Sequence, residues 1–67
     1  MMKEQIEAAL TSAFGTHIGA QVPAQSRGVR QVMIESGLIG ASNGLTRQGS
    51  ILAMRLKRAE EERLFPL

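Results

Sequence analysis

Apolar residues recur at helical spacing along most of the chain, in segments that glycine and proline interrupt. The first segment predicts a helix from Lys3 to Phe14, because every fourth position is apolar: Met2, Ile6, Leu10 and Phe14. Phe14 is therefore expected in the core, and Gly15 is expected to end the helix. The segment from Thr16 to Val22 has a weaker pattern and predicts a helix of two turns.

The middle of the chain predicts a third helix with a signal at each end. Pro23 disfavours a helical conformation at the preceding residue, so the chain should turn there, and Ser26 is the residue best suited to cap the helix that follows. The predicted helix runs from Ser26 to Gly37, where the glycine stops it. Its inward face consists of Val29, Val32 and Met33.

A turn signal and a second cap organise the rest of the chain. Asn43-Gly44 is a strong hairpin-turn signal within Gly40 to Gly44, so Leu45 should pair antiparallel with Leu38-Ile39. Thr46 then caps a final helix from Arg47 to about Arg63. The inward stripe of that helix is Leu52, Ala53, Leu56 and Ala59, and Ile51 and Met54 widen it. The apolar tail from Leu64 to Leu67 is expected to dock on its own domain or on another subunit.

The length and composition limit the classes of protein that the chain can belong to. Sixty-seven residues predict one domain, residues 1–67, and the absence of cysteine excludes disulfides and thiolate metal sites. No apolar run approaches the ~20 residues that span a bilayer, and acidic residues stand where a secretory signal would be apolar. We therefore expect a cytoplasmic protein that does not enter a membrane.

The basic residues are concentrated in the middle of the chain. The net charge of the whole chain is +2, but the segment from Ala8 to Ala59 contains a single acid, Glu35. Its six basic residues are Arg27, Arg30, Arg47, Arg55, Lys57 and Arg58. Arginine suits phosphates and guanine edges, so the pattern favours a nucleic-acid partner, and the alternative is an ordinary solvated surface.

Candidate catalytic and metal-binding residues are sparse. His17 is the only histidine and has no second ligand or nucleophile to work with, and Glu60, Glu61 and Glu62 fan around a helix instead of forming an acid/base pair. Gly15 to Gly19 and Gly40 to Gly44 are rich in glycine, but neither segment contains the lysine of a phosphate-binding loop. We expect no enzyme activity, no metal and no cofactor.

The order of these elements resembles a known family. A helix, a short helix, a turn, a helix that ends in Ser-Gly-Leu-Ile, a short wing and then Leu-Thr-x-x-Gly-x-x-x-Ala-x-x-Leu is similar to the winged helix-turn-helix transcriptional regulators of the MarR-like and PadR-like groups. The similarity covers about residues 4 to 59, and its specific part is Val29 to Leu56. It implies a mostly α fold, a small winged helix-turn-helix domain with three N-terminal helices, a short two-stranded wing and a longer C-terminal helix.

The resemblance also implies a function. Thr16 to Val22 would be the supporting helix, Ser26 to Gly37 the recognition helix and Gly40 to Gly44 the wing of a sequence-specific DNA-binding protein. The residues expected to contact double-stranded DNA are Gln25, Ser26, Arg27, Arg30, Gln31, Asn43, Thr46 and Arg47. A homodimer is expected to form through residues 47–67, with Ile51, Met54, Leu64 and Phe65 at the interface.

Three functions remain open from the sequence. The first is a dimeric transcriptional regulator, such as a repressor, of the compact type found in phages, plasmids or mobile elements. The second is a protein-binding inhibitor or accessory module on the same scaffold, which the short, uncharged wing favours. RNA binding ranks last, because Phe14 and Phe65 are the only aromatic residues that could stack on bases.

Overall fold

Three α-helices and the segments that join them form the fold in a computed structural model that describes residues 2–65. Helix α1 is Met2–Thr11, α2 is Arg27–Glu35 and α3 is Arg47–Leu64. Helix α1 packs against both of the others. The molecule measures 38 × 26 × 17 Å, and since a helix with its side chains is about 10 Å across, each helix keeps one side in solvent.

The predicted starts of α2 and α3 are confirmed by their caps. The Ser26 hydroxyl accepts a hydrogen bond from the backbone N–H of Val29 at 3.4 Å, and the Thr46 hydroxyl accepts one from the N–H of Gly49 at 3.1 Å. Each bond satisfies an amide that has no partner inside its own helix. Gly37, with φ of 75°, follows the end of α2 as predicted.

The core draws on every part of the chain. Its largest fully buried side chains are Leu10 of α1, Met33 of α2, and Ile39 and Leu45 of the connection between α2 and α3. Ala53 closes the core from α3. Because two of the four large side chains come from a connection, the path of residues 38–45 is fixed by burial as much as by its turn.

The prediction that Phe14 lies in the core is wrong, since it is 75% exposed. Helix α1 ends at Thr11, three residues earlier than predicted, and the chain then tightens into a turn in which the N–H of Ala13 donates to the carbonyl of Leu10. Phe14 therefore leaves the helical spacing that would have carried it inward. Its own N–H donates to the carbonyl of Gln21 at 2.9 Å.

The predicted helix from Thr16 to Val22 is also wrong. Residues 19–22 instead pair with the chain near residue 44: the N–H of Leu45 donates to the carbonyl of Ala20 at 2.8 Å, and the N–H of Val22 donates to the carbonyl of Asn43 at 3.0 Å. Gly19 has φ of 89°, which a right-handed helix does not contain. These long-range bonds satisfy the backbone that a helix would otherwise have satisfied locally.

The winged helix-turn-helix fold with a two-stranded wing is contradicted, and only its mostly helical character is confirmed. The N–H of Gly40 donates to the carbonyl of Gly44 at 2.9 Å, and Ile39 pairs with Leu45, so the predicted turn forms. Residues 2–65 nevertheless contain isolated bridge pairs and no strand, and three helices in place of four. Too few residues remain for strands, because α2 ends only a few residues before the turn and Thr46 caps α3 directly after it.

Within the described part of the chain, no helix combines the length and apolar character needed to cross a bilayer.

Candidate nucleic-acid interface

The predicted recognition helix, now α2, uses most of its polar side chains within the fold. Arg30 donates from Nε to Asn43 Oδ1 at 2.8 Å and from a terminal guanidinium nitrogen to the carbonyl of Ala41. Gln31 donates to the Glu35 carboxylate at 3.2 Å, one turn further along α2. Arg30 is therefore a clamp that fastens the turn at residues 40–44 to α2, and a base edge would have to replace both of its bonds.

Replacing Arg30 should destabilise the protein. Arg30→Ala removes two charge-assisted hydrogen bonds at a partly buried position, and we expect it to cost about 1–2 kcal/mol of unfolding free energy in urea denaturation. The matched control is Arg27→Ala, an exposed arginine on the same helix, which should change stability by less than ~0.5 kcal/mol. Equal stabilities of the two variants would contradict the role of Arg30 as a clamp.

The residues at the start of α2 divide between structural roles and solvent exposure. Gln25 donates to the carbonyl of Pro23, and Ser26 caps the helix. Arg27 is exposed, and neither a hydrogen bond nor an ion pair joins it to any of residues 2–65. Of the contacts predicted on and before α2, Arg27 alone therefore offers an uncommitted cation.

Two of the DNA contacts predicted at and after the turn, Asn43 and Thr46, also make hydrogen bonds within the fold. Asn43 accepts the bond from Arg30 and has φ of 64°, and the Thr46 hydroxyl both caps α3 and donates to the carbonyl of Gly37. Arg47, the first residue of α3, is exposed. The polar groups of the turn are therefore used within the fold. Arg47, at the start of α3, is the first exposed cation after the turn.

One side of α3 presents arginines and two apolar residues to solvent. Residues three and four positions apart share one side of a helix, which brings together a set that we name the α3 face: Arg47, Ile51, Met54, Arg55 and Arg58. All five are exposed, whereas the opposite side of the helix is buried. The α3 face spans 12 residues, from Arg47 to Arg58, about 16 Å along the helix axis.

The charge of the α3 face is almost free of neutralising partners. No acidic residue occurs between Glu35 and Glu60, and neither Arg47 nor Arg55 has a hydrogen bond or ion pair within residues 2–65. Arg58 Nε lies 3.6 Å from a Glu62 carboxylate oxygen, with side chains 82% and 73% exposed. An ion pair so exposed contributes little, so all three arginines are available to an anionic ligand.

The loop after α1 is fastened along one edge of α3. The Ser50 hydroxyl donates to the carbonyl of Thr16, and Lys57 Nζ donates to the carbonyl of Ala13 at 3.0 Å. Since Ser50 and Lys57 are two turns apart on the same side of the helix, residues 13–16 must run beside the turns between them.

The loop after α1 carries exposed apolar side chains. Met54 lies between Ser50 and Lys57 on that same edge, beside residues 13–16. Phe14 and Ile18 are 75% and 65% exposed. Because the sequence predicts Phe14 in the core, these exposed side chains in the loop are not predicted.

The predicted dimer residues form two separate apolar spots. Ile51 and Met54 are 39% and 47% exposed within the α3 face, whereas Leu64 and Phe65, 61% and 74% exposed, lie at the far end of the helix. Ile51 and Leu64 are 13 residues apart, about 20 Å along the axis. The rest of the predicted docking tail, Pro66 and Leu67, lies outside the described residues.

A groove lies between α1 and α3. Its volume is about 390 Å³, and it is lined by Glu7, Thr11, Leu56, Ala59, Glu60 and Arg63. The described residues contain no cluster of three side chains that could hold a metal ion, and His17 is exposed at the surface. The α3 face is therefore the strongest candidate site.

Sequence reasoning missed Arg55 and Arg58 as members of the site. Both belong to the six basic residues of the middle segment, but neither is among the predicted DNA contacts. The signal was present, because residues 36–59 contain four basic residues and no acid, with Arg47, Arg55 and Arg58 at spacings of eight and three. Such spacings place all three on one side of a helix.

Comparison with known proteins supplies no relationship for the chain. No protein-family model, no curated protein and no solved structure matches it.

Proposed function

We propose that this protein binds duplex DNA through the α3 face. The observation that carries the proposal is the set of three exposed arginines on one side of a capped helix, within a stretch of 24 residues, 36–59, that has no acid. Arginines in such an array bind phosphates and displace their counterions. Regulation of transcription is the use that we expect for this binding.

The dimensions of the α3 face suit a major groove. The groove is about 12 Å wide and admits an α-helix, and the ~16 Å between Arg47 and Arg58 would let the two ends of the face reach phosphates on opposite strands. Arg55, between them and to one side, would then reach either a phosphate or a guanine edge. This proposal moves the DNA contact from the start of α2, where Arg30 is committed to the turn, to α3.

An acidic protein segment is the second candidate partner. The exposed Phe14 and Ile18 in the loop after α1 favour it, because an amphipathic helix with acidic and apolar residues could contact apolar side chains as well as arginines. DNA remains the first choice, since the α3 face carries three arginines and no acid, and arginine binds phosphate through two parallel hydrogen bonds.

The α3 face is poorly suited to pair with a second copy of itself. An antiparallel pairing that sets Ile51 against the partner's Met54 also sets Arg47 against the partner's Arg58. A parallel pairing sets each arginine against its own copy. Like charges brought together in this way oppose association, so a homodimer, if it forms, should use another surface.

The test is a titration of the purified protein against a 20-base-pair duplex of mixed sequence at 50 and 200 mM salt, followed by fluorescence anisotropy. Three phosphate contacts predict a slope of about −2.7 in log K against log salt, which is a loss of about 40-fold in affinity over this range. An affinity that hardly changes with salt, or no binding at 50 mM, would contradict the proposal and would favour the acidic protein segment.

A further inference from the structure

Two apolar side chains occupy the middle of the α3 face. Ile51 and Met54 are 39% and 47% exposed and lie about one turn apart, with Arg47 before them and Arg55 and Arg58 after them. Phosphate binding alone gives these positions no role, since an apolar side chain adds nothing to affinity for an anion. A ligand that fits the whole face must therefore offer apolar groups between its phosphates.

Duplex DNA offers such a group in the 5-methyl of thymine, which projects into the major groove between the two rows of phosphates. We infer that Ile51 and Met54 read thymine by contact with this methyl group, so that the protein prefers sites with thymine at the centre of its contact. The inference rests on the proposed function, because it requires the α3 face to lie in the major groove. It assigns a specificity role to residues that the sequence had placed at a dimer interface.

The positions of the two residues support this role. The arginines lie at both ends and at one side of the α3 face, and these are the places where a helix in a major groove meets the phosphate rows. Ile51 and Met54 lie in the middle of the face, where such a helix meets base edges. Burial of one methyl group contributes about a fourfold change in affinity. Contacts at two positions would therefore give a preference of about 16-fold.

Substitution of deoxyuridine for thymidine tests the inference, because it removes the methyl group and leaves base pairing and phosphates in place. The probes are two 20-base-pair duplexes, one of alternating adenine and thymine and one of alternating adenine and uracil, so that every register presents the group. We expect the unmodified protein to bind the thymine duplex about 4- to 16-fold more tightly at 50 mM salt. In Ile51→Ala, Met54→Ala this ratio should fall to about one, with binding to the uracil duplex unchanged.

The control is Leu64→Ala, which removes an exposed apolar side chain outside the α3 face and should keep the full ratio. Circular dichroism verifies that all variants keep their helices. Salt-dependent binding with equal affinity for the two duplexes would overturn the inference and leave the proposed function standing. A ratio that survives in the double variant would overturn it as well, and absence of binding to both duplexes would overturn the inference together with the proposed function.

Discussion

Gly49→Ala should leave the protein largely unfolded at 25 °C. A Cβ at this position would stand 1.9 Å from the carbonyl oxygen of Leu38 and 2.9 Å from its carbonyl carbon. The obstacle is backbone, and the same carbonyl accepts a hydrogen bond from the N–H of Thr46 at 3.1 Å. Moving the start of α3 away would therefore break that bond and uncover the buried Leu45.

We expect this substitution to cost about 3–5 kcal/mol, as much as a domain of this size has in total. Urea denaturation followed by far-ultraviolet circular dichroism measures the loss. The matched control is Gly40→Ala, where a Cβ would meet no atom within 4 Å, and which should stay within ~1 kcal/mol of the unmodified protein. A Gly49→Ala variant as stable as the control would show that α3 does not approach residue 38 so closely.

The combined variant Arg47→Gln, Arg55→Gln, Arg58→Gln should lose most of its affinity for duplex DNA. Each phosphate contact contributes about 0.9 to the salt slope, so removal of three should flatten the slope by about 2.7 and weaken binding on the order of a thousandfold at 50 mM salt. Fold stability should change little, because the three side chains are exposed and make only one weak ion pair within the described residues. The anisotropy titration described above measures both effects.

A control with the same net charge separates the α3 face from general electrostatic attraction. Lys3→Gln, Arg27→Gln, Arg63→Gln also removes three cations from exposed positions, but none of the three belongs to the α3 face. We expect this variant to keep most of the salt slope. If it loses as much affinity as the first variant, the cations act through net charge, or the contact lies at α2, and the assignment to α3 is wrong.

The features that the sequence predicted correctly are those decided within a few residues. Ser26 and Thr46 begin α2 and α3, and Gly37 follows the end of α2, because a cap satisfies amides of its own first turn and a glycine relieves strain at its own φ. The turn at residues 40–44 forms as well, closed by a bond from the N–H of Asn43 to the carbonyl of Gly40, with Asn43 at φ of 64°.

The features that it missed depend on residues far apart in the chain. Helical spacing at residues 16–22 was overridden by backbone bonds to residues 43–45, which the spacing cannot reveal. Arg30 had the residue type and position of a base-reading side chain, but its partners in the turn become visible only in the fold. The predicted wing is absent because the turn is flanked by isolated bridge pairs and not by strands.

The measurement that tests the central claim most directly is nuclear magnetic resonance mapping of an isotope-labelled sample titrated with a 20-base-pair duplex. We predict that the largest changes in backbone amide and arginine side-chain signals fall on the α3 face, at Arg47, Ile51, Met54, Arg55 and Arg58, and that Arg30 and Asn43 change little. Changes concentrated at Arg27 and Gln31, or confined to the loop with Phe14 and Ile18, would contradict the assignment of DNA binding to α3.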